Sequence, residues 1–249
     1  MTLSSSPVLG VSITTAGEQS ILSTIKQAIL EKKQLFITTP NPEIVVAAHK
    51  NDVYKRALSH ADIALPDGTG IVMALKRDGV TIPRILGRDF FEKLLWFANQ
   101  HAWRVYLLGA TGKSNEQSLS RIRKEYPAIS GKGSSDLSVT EEGTASESDE
   151  QRIINDIQIF APQLLFVAFG HPKQELWADR VKGMFPETTI MTIGGTLDYF
   201  SGSIPKPPAL FSTLGLEWLI RLLREPTRIG RIFTAVVIFP LLVIFRSER

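Results

Sequence analysis

The stretch LLFVAFGHPKQELWADRVKGMFPETTIMTIGG, residues 164–195, decides the fold. It begins and ends with short apolar runs, 164–170 and 189–195, and both of them close on glycine. The segment between them, 172–185, starts at a proline and carries helical spacing. Apolar runs of this length without polar alternation are typical of buried parallel strands, which are joined by a crossover helix. The stretch therefore predicts a strand–helix–strand unit.

The same alternation extends toward the N-terminus. Further buried strands are predicted at 35–39, 62–66 and 104–110. Helical spacing lies between the apolar runs, at 42–59, 89–101, 115–126 and 149–160. Strand–helix alternation favours an α/β fold, here a Rossmann-like, mainly parallel sheet with helices on both faces. Residues 131–150, which are rich in Gly, Ser and Glu, predict a flexible surface loop.

Polar residues follow two of the predicted strands, on the side where open parallel sheets bind ligands. Asp67 directly follows the strand at 62–66 and precedes two glycines. Its carboxylate could act as a general base or bind a ribose hydroxyl, although Asp-Gly is also an ordinary turn pair. Thr39 and Asn41 follow the strand at 35–39, and Asn41 could simply cap the helix that starts at Pro42.

Three glycine-containing turns complete the predicted ligand edge of the sheet. LGATGKS (108–114) is a strand-to-helix turn that can hold phosphate through backbone amides, but it matches neither a P-loop nor G-x-G-x-x-G. GHPKQE (170–175) and GGTLD (194–198) also follow predicted strands. The binding candidates in these turns are Gly109, Gly170, Gln174, Glu175 and Gly195.

The C-terminal segment EWLIRLLREPTRIGRIFTAVVIFPLLVIFRSER (217–249) combines arginines with apolar residues. Its spacing puts four arginines on one helix face, namely Arg221, Arg224, Arg228 and Arg231. Guanidiniums beside apolar surface suit a lipid phosphate at a membrane, and the alternative is a solvated basic face. The run 232–245 is interrupted by Pro240 and is shorter than the roughly 20 residues that span a bilayer. It predicts interfacial contact or packing on the body.

Charge separates the chain of 249 residues into two parts, for which we expect a catalytic domain at 1–203 and a basic appendage at 204–249. The appendage has seven Lys and Arg against three Glu, or +4, while the whole chain has +3, which leaves −1 for the body. This distribution argues against a nucleic-acid partner.

The absence of cysteine excludes disulfides and thiol catalysis, and four histidines lack metal-binding spacing, so neither metal nor cofactor is expected. No signal-peptide pattern is present, which predicts a cytoplasmic protein.

Seven short motifs occur in an order that resembles the WecG/TagA/CpsF family of glycosyltransferases (glycosyltransferase family 26), over about residues 36–231. They are TPNP (39–42), DGTG (67–70), GRD (87–89), LLG (107–109), GHPKQE (170–175), GG (194–195) and GLEWLIRL (215–222). One departure is Lys206, which stands where the family usually has arginine; lysine keeps the charge but loses the bidentate fork.

The resemblance implies a metal-independent, inverting transfer of a sugar from a UDP-sugar to a polyprenyl-diphosphate-linked sugar. In the wall teichoic acid members the donor is UDP-N-acetylmannosamine and the acceptor is undecaprenyl-diphosphate-N-acetylglucosamine. By this resemblance Asp67 is the catalytic base, Thr39 and Gln174 contact substrate, and the four tail arginines bind the lipid diphosphate. The other substrate-binding candidates are Asn41, Gly68, Arg88, Gly109, Gly170, Glu175 and Gly195.

The expected partners are therefore a UDP-sugar, a polyprenyl-diphosphate-linked acceptor and the inner face of the plasma membrane, where the protein would be peripheral. Assembly into a homo-oligomer is left open. Two other interpretations compete with this one. A Rossmann-like NAD-dependent or methyl-transfer enzyme would leave the basic tail unexplained and lacks G-x-G-x-x-G. A non-catalytic module that binds polyprenyl phosphates would leave the polar residues at the strand ends without a role.

Overall fold

A six-stranded parallel sheet forms the centre of the protein. The computed structural model describes residues 3–206, Phe211 and 229–245. The strands of the sheet are β3 (Leu35–Thr38), β4 (Ile63–Ala64), β5 (Arg104–Gly109), β6 (Ser130–Ser134), β7 (Leu164–Ala168) and β8 (Thr189–Thr192). Their order across the sheet is β4-β3-β8-β7-β5-β6. Every pairing within this sheet is parallel, and the five predicted strands all lie in it. The α/β fold class is confirmed.

Helices cover both faces of the sheet. In chain order they are α1 (Glu18–Leu30), α2 (Pro42–His49), α3 (Asp52–Ser59), α4 (Thr69–Arg77), α5 (Gly87–Gln100), α6 (Gly112–Glu125), α7 (Glu147–Phe160), α8 (Lys173–Val181) and α9 (Thr196–Phe200). Alternate residues of β7 show how the faces are filled. Phe166 packs among α1, α5 and α9, whereas Leu165 and Val167 pack against α7 and α8. Strands buried on both faces read as continuous apolar runs, which is why the sequence revealed them.

An antiparallel hairpin that the sequence analysis did not predict covers the short edge strand β4. It consists of β1 (Ser5–Val8) and β2 (Val11–Thr14). The Thr14 hydroxyl accepts a hydrogen bond from the Ala64 amide at 2.9 Å, which satisfies an edge donor of β4. Helices α1, α4 and α9 were likewise not predicted.

Two sequence predictions are corrected by the structure. Residues 42–59 form two helices, because the Asn51 side chain accepts from the amide of Tyr54 at 3.0 Å and caps a new helix. Residues 131–150 are not a flexible loop throughout: β6 pairs with β5 over five residues, and Leu137 and Val139 are buried against α7. Glycine and serine build β6, so this edge strand lacks the apolar signal of a buried one.

The C-terminal segment at 229–245 is helical, and we call it the tail helix. It comprises α10 (Ile229–Phe233), a π-helical turn (Thr234–Ile238) and α11 (Phe239–Phe245). The helix continues through Pro240, which was predicted to interrupt it. Proline lacks the N–H that would bond back along the helix, and the wider π-helical turn directly before it accommodates the missing hydrogen bond. Arg221, Arg224 and Arg228 lie outside the described residues.

One face of the tail helix packs on the body of the protein. Ile232, Phe239 and Val243 are buried, and the last two join the apolar cluster of α2, α3 and α4. Other apolar side chains of the tail helix are exposed to solvent, namely Ile229, Phe233, Val236, Val237, Leu241, Ile244 and Phe245. Within the described residues, no helix is both long and apolar enough to cross a bilayer.

Charged contacts fasten the tail helix at both ends. The Arg77 guanidinium donates to the carbonyl oxygens of Val243 at 2.6 Å and Ile244 at 3.2 Å, and thereby caps its last turn. At the other end, Nε of Arg231 lies 2.8 Å from the Glu43 carboxylate and Nη2 lies 2.7 Å from Nε2 of His171. Burial alone would raise the pKa of Glu43, but the contacts with His171 and Arg231 outweigh it and lower this pKa from 4.5 to about 2.

We predict that Glu43→Gln loosens the start of the tail helix, because it removes the charge that holds Arg231. Deuterium exchange at 229–238 should become faster, while β7 and β8 keep their protection. Glu141→Gln, which breaks the exposed pair with Lys173, is the matched control.

The same contact has a defined pH dependence. The pKa of Glu43 is lower in the folded protein, so its ion pair stabilises the docked helix above pH 4.5 and is lost between about pH 4.5 and pH 2. Exchange at 229–238, corrected for its intrinsic pH dependence, should rise over this range in the wild type but not in Glu43→Gln. Equal exchange in both proteins at neutral pH would contradict the prediction.

Candidate active site

A cavity of about 670 Å³ opens at the carboxyl ends of the central strands. Loops after β3, β4, β5, β7 and β8 line it, as expected for an open parallel sheet. The tail helix contributes Ile232, Ala235 and Val236 to one side. Nine of the predicted body residues line this cavity: Thr39, Asn41, Asp67, Gly68, Arg88, Gly109, Gly170, Gln174 and Gly195. The tenth, Glu175, does not.

Asp67 and Thr39 come together because their strands, β4 and β3, are parallel neighbours. The Asp67 amide donates to the Pro40 carbonyl at 3.2 Å, which ties the two strand ends to each other. Gly87, the first residue of α5, packs against both side chains. A Cβ there would lie 2.9 Å from Cγ2 of Thr39 and 3.2 Å from Oδ2 of Asp67, so only glycine allows this approach.

The start of α5 supports the negative charge of Asp67. The Gly87 amide donates to Oδ2 of Asp67 over 3.4 Å, at the positive end of a 14-residue helix. Arg88 follows in the first turn, with its guanidinium 5.9 Å from the ring centre of Tyr199. Arg84, just before the helix, donates to the Thr69 hydroxyl at 3.2 Å. One carboxylate and two guanidiniums thus line the same part of the cavity wall.

Asn41 serves the helix start as well as the cavity. Its side-chain oxygen accepts from the amide of Ile44 at 3.0 Å and caps α2. Helix capping, which the sequence analysis gave as the alternative role of Asn41, is therefore the role of this oxygen. The residue itself still lines the cavity. Its role as a substrate contact therefore stays a prediction.

The turn after β5 is shaped by glycine. Gly109 has φ +92°, and a Cβ there would lie 2.9 Å from the Ala168 carbonyl oxygen. The Ala110 amide donates to that same oxygen at 2.9 Å, so this amide is engaged within the protein. Thr111 caps α6 by accepting from the Ser114 amide at 3.2 Å, and it lines the cavity.

Asp198 is a second carboxylate in the cavity. The Ser114 hydroxyl donates to its Oδ1 at 2.7 Å, which joins α6 to α9. Sequence reasoning did not select Asp198, although its position three residues after the end of the last apolar run was a usable signal. It also did not select Arg84, which stands between predicted elements, or Glu43 and His171.

Gln174 and Glu175 occupy different positions at the start of α8. Gln174 lines the cavity, and its side-chain Oε1 accepts from the Gly194 amide at 2.9 Å. Glu175 is fully buried behind it, with Oε2 accepting from the Tyr54 hydroxyl at 3.0 Å. Burial raises the pKa of Glu175.

Arg231 is the predicted tail arginine whose position is described, and it lines the cavity together with Glu43 and His171. Arg221, Arg224 and Arg228 lie outside the described residues, so their position stays a prediction. Lys206, which stands in place of an arginine, forms an ion pair with Glu92 of α5 and is not part of the cavity wall.

The cavity wall has the groups needed to bind an anionic ligand and move one proton. Its basic side chains are Arg84, Arg88, Lys173 and Arg231, and its acidic side chains are Glu43, Asp67 and Asp198. Glu43 is committed to Arg231, and Asp198 accepts from Ser114. Among the residues described, no group of three or more His, Asp or Glu is placed to hold a metal ion.

Known proteins resemble the chain over most of its length. It is 35% identical over 217 residues to an N-acetylglucosaminyldiphosphoundecaprenol N-acetyl-beta-D-mannosaminyltransferase of Bacillus spizizenii, covering 86% of this chain and 81% of that one. An enzyme of the same name from Bacillus subtilis is 35% identical over 84% of this chain and 79% of its own. Another from Staphylococcus aureus is 32% identical over 90% and 87%, respectively.

A family profile gives the same result. The profile described as "Glycosyl transferase WecG/TagA/CpsF family" matches residues 6–249, which include the hairpin, the sheet and the tail helix. The profile thus confirms the family that the seven short motifs predicted. The chain belongs to the WecG/TagA/CpsF family of glycosyltransferases.

Proposed function

We propose that this protein transfers N-acetylmannosamine, or a closely related sugar, from a UDP-sugar to a polyprenyl-diphosphate-linked N-acetylglucosamine with inversion at the anomeric carbon. The observation that carries the proposal is one cavity that joins a carboxylate at a strand end, Asp67, to guanidiniums of the body and of the tail helix. The names of the relatives, which state the sugar and the undecaprenyl diphosphate acceptor for those proteins, support the choice of substrates.

Asp67 is the proposed base. It takes the proton of the acceptor hydroxyl while that oxygen attacks the anomeric carbon from the face opposite UDP. The bond between the anomeric carbon and the diphosphate oxygen breaks, and UDP leaves with the electron pair. The contact with the Gly87 amide orients the Asp67 carboxylate at the start of α5, inside the cavity, which is the position that a base requires.

The leaving diphosphate needs positive charge, which Arg84 and Arg88 supply in this proposal. Both residues line the cavity near the start of α5, and Nε of Arg88 also lies 3.4 Å from the Asp89 carboxylate. Charge that develops on the leaving group is stabilised by such fixed donors, and this arrangement needs no metal ion. Thr39, Gln174 and the glycine turns after β5, β7 and β8 would complete the binding surface for the donor and acceptor sugars.

In this proposal the appendage at 204–249 binds the lipid-linked acceptor. Arg231 lines the cavity, and the tail helix exposes apolar side chains to solvent. We assign this helix, with Arg221, Arg224 and Arg228, to the lipid diphosphate and the inner face of the plasma membrane. The membrane-linked acceptor in the relatives' names supports this assignment.

Turnover of defined substrates tests the function. The protein, without added metal and with a chelator present, should release UDP from UDP-N-acetylmannosamine when a short-chain diphospholipid carrying N-acetylglucosamine is supplied. A panel of other UDP-sugars measures donor selectivity. Tight binding of the diphospholipid without turnover of any donor would support a binding module instead.

We predict that Asp67→Asn lowers kcat by about 100-fold or more, because amide nitrogen and oxygen cannot take the proton. The donor dissociation constant should change little, since size and shape are kept. Asp136→Asn, at an exposed carboxylate that does not line the cavity, is the control and should keep full activity. Activity of Asp67→Asn within threefold of the wild type would remove Asp67 as the base.

We predict that Phe233→Ser with Leu241→Ser weakens binding to vesicles of anionic phospholipid by at least about tenfold. Burying each of these apolar side chains contributes roughly 1.5–3 kcal/mol. Turnover of a short-chain, water-soluble acceptor should be kept, because neither residue lines the cavity. Leu30→Ser, at an exposed apolar residue of α1, is the control for co-sedimentation. Unchanged vesicle binding would exclude the tail helix as the membrane contact.

A further inference from the structure

Glu175 is unusual for its burial. Among the described residues it is the one acidic or basic side chain in the buried core, with 0% exposure, and it has no basic hydrogen-bond partner. Burying a carboxyl group costs free energy unless its oxygens are hydrogen-bonded. Both oxygens of Glu175 are bonded: Oε1 accepts from Nε2 of Gln174 at 2.6 Å, and Oε2 accepts from the Tyr54 hydroxyl at 3.0 Å.

These bonds determine which way the Gln174 amide points. The Gly194 amide can only donate, so Oε1 of Gln174 must face it, at 2.9 Å. The Nε2 group then necessarily faces Glu175, whose oxygen accepts from it. A run of hydrogen bonds from Tyr54 through Glu175 and Gln174 to Gly194 results. It joins α3 and α8 to the loop after β8.

The end of this run shapes the cavity. Gly194 has φ +51°, a left-handed conformation, and both Gly194 and Gly195 line the cavity. Gln174 also lines it, although the residue is only 1% exposed. If Glu175 could not accept from Nε2, the Gln174 side chain would be free to rotate and would release the Gly194 amide. The cavity wall formed by this loop would then lose its fixed shape.

We propose that Glu175 is a positioning residue that, with Tyr54, fixes the Gln174 amide and the Gly194–Gly195 loop in the shape required for sugar transfer. It was predicted from the sequence as a substrate contact, and its burial behind Gln174 argues for this indirect role instead. The inference rests on the proposed function for its kinetic test, which measures sugar transfer. Its second test, hydrogen exchange of the Gly194 amide, does not depend on that function.

Three single variants and one double variant separate positioning from charge. Glu175→Gln keeps an oxygen for Nε2 of Gln174 and an amide for the Tyr54 oxygen, so kcat should stay within about threefold of the wild type. Glu175→Met fills a similar volume without either bond, and kcat should fall by about tenfold or more. Tyr54→Phe removes one bond, and the double variant with Glu175→Met should be no slower than Glu175→Met alone.

A matched control separates positioning from loss of stability. Val181→Ala lies on the same helix, is fully buried and should lower Tm while kcat at low temperature is kept. Exchange of the Gly194 amide, followed by NMR, should become faster in Glu175→Met but not in Glu175→Gln or Val181→Ala. If Glu175→Met does not fold, Tyr54→Phe takes its place in both measurements, with a smaller loss of kcat.

Two results would overturn the inference. If Glu175→Gln is as slow as Glu175→Met, the carboxyl group acts through its charge or its proton. If the Gly194 amide exchanges at the same rate in Glu175→Met as in the wild type, the run of hydrogen bonds does not hold the loop. A wild-type protein that turns over no UDP-sugar would refute the proposed function, and the exchange measurement would still decide the role of Glu175.

Discussion

Parallel backbone pairing of β3, β8, β7 and β5 is the constraint on which the rest of this structure depends. Each strand runs in the same direction, so all of their carboxyl ends meet at one edge of the sheet. Residues far apart in the chain, such as Thr39, Gln174 and Gly195, therefore line one cavity. The apolar cores on both faces hold the strands in register, and this register sets the relative positions of the residues that line the cavity.

Close packing at the strand ends fixes the positions of the residues that line the cavity. Gly87 lets Thr39 and Asp67 approach the start of α5, and Gly109 lets β5 turn against Ala168. Buried hydrogen bonds behind the cavity wall also hold residues in place, because Glu175 links Tyr54 to Gln174. The tail helix adds a side wall that is held by apolar contacts and by Arg231 and Arg77.

Sequence reasoning was most successful where a strong local pattern exists. The five buried strands and the candidates that follow them were predicted, since apolar runs closed by Gly or Pro are visible without any tertiary information. Edge strand β6 was missed because Gly131 and Gly133 carry no apolar signal. Arg84 was missed because it stands between the predicted elements. Glu43 and His171 lie beside or within quoted motifs but were not selected, because their contacts with Arg231 join residues that are distant in the chain.

The sequence by itself determined the α/β class, the family and ten residues of the cavity wall, since each of these follows from short-range patterns and their order. Only the tertiary structure decided which residues touch. It placed Glu175 behind Gln174 rather than in the cavity, and it showed that the tail helix is docked through one apolar face. Burial and side-chain direction depend on packing between elements that are remote in the chain, and no local pattern encodes them.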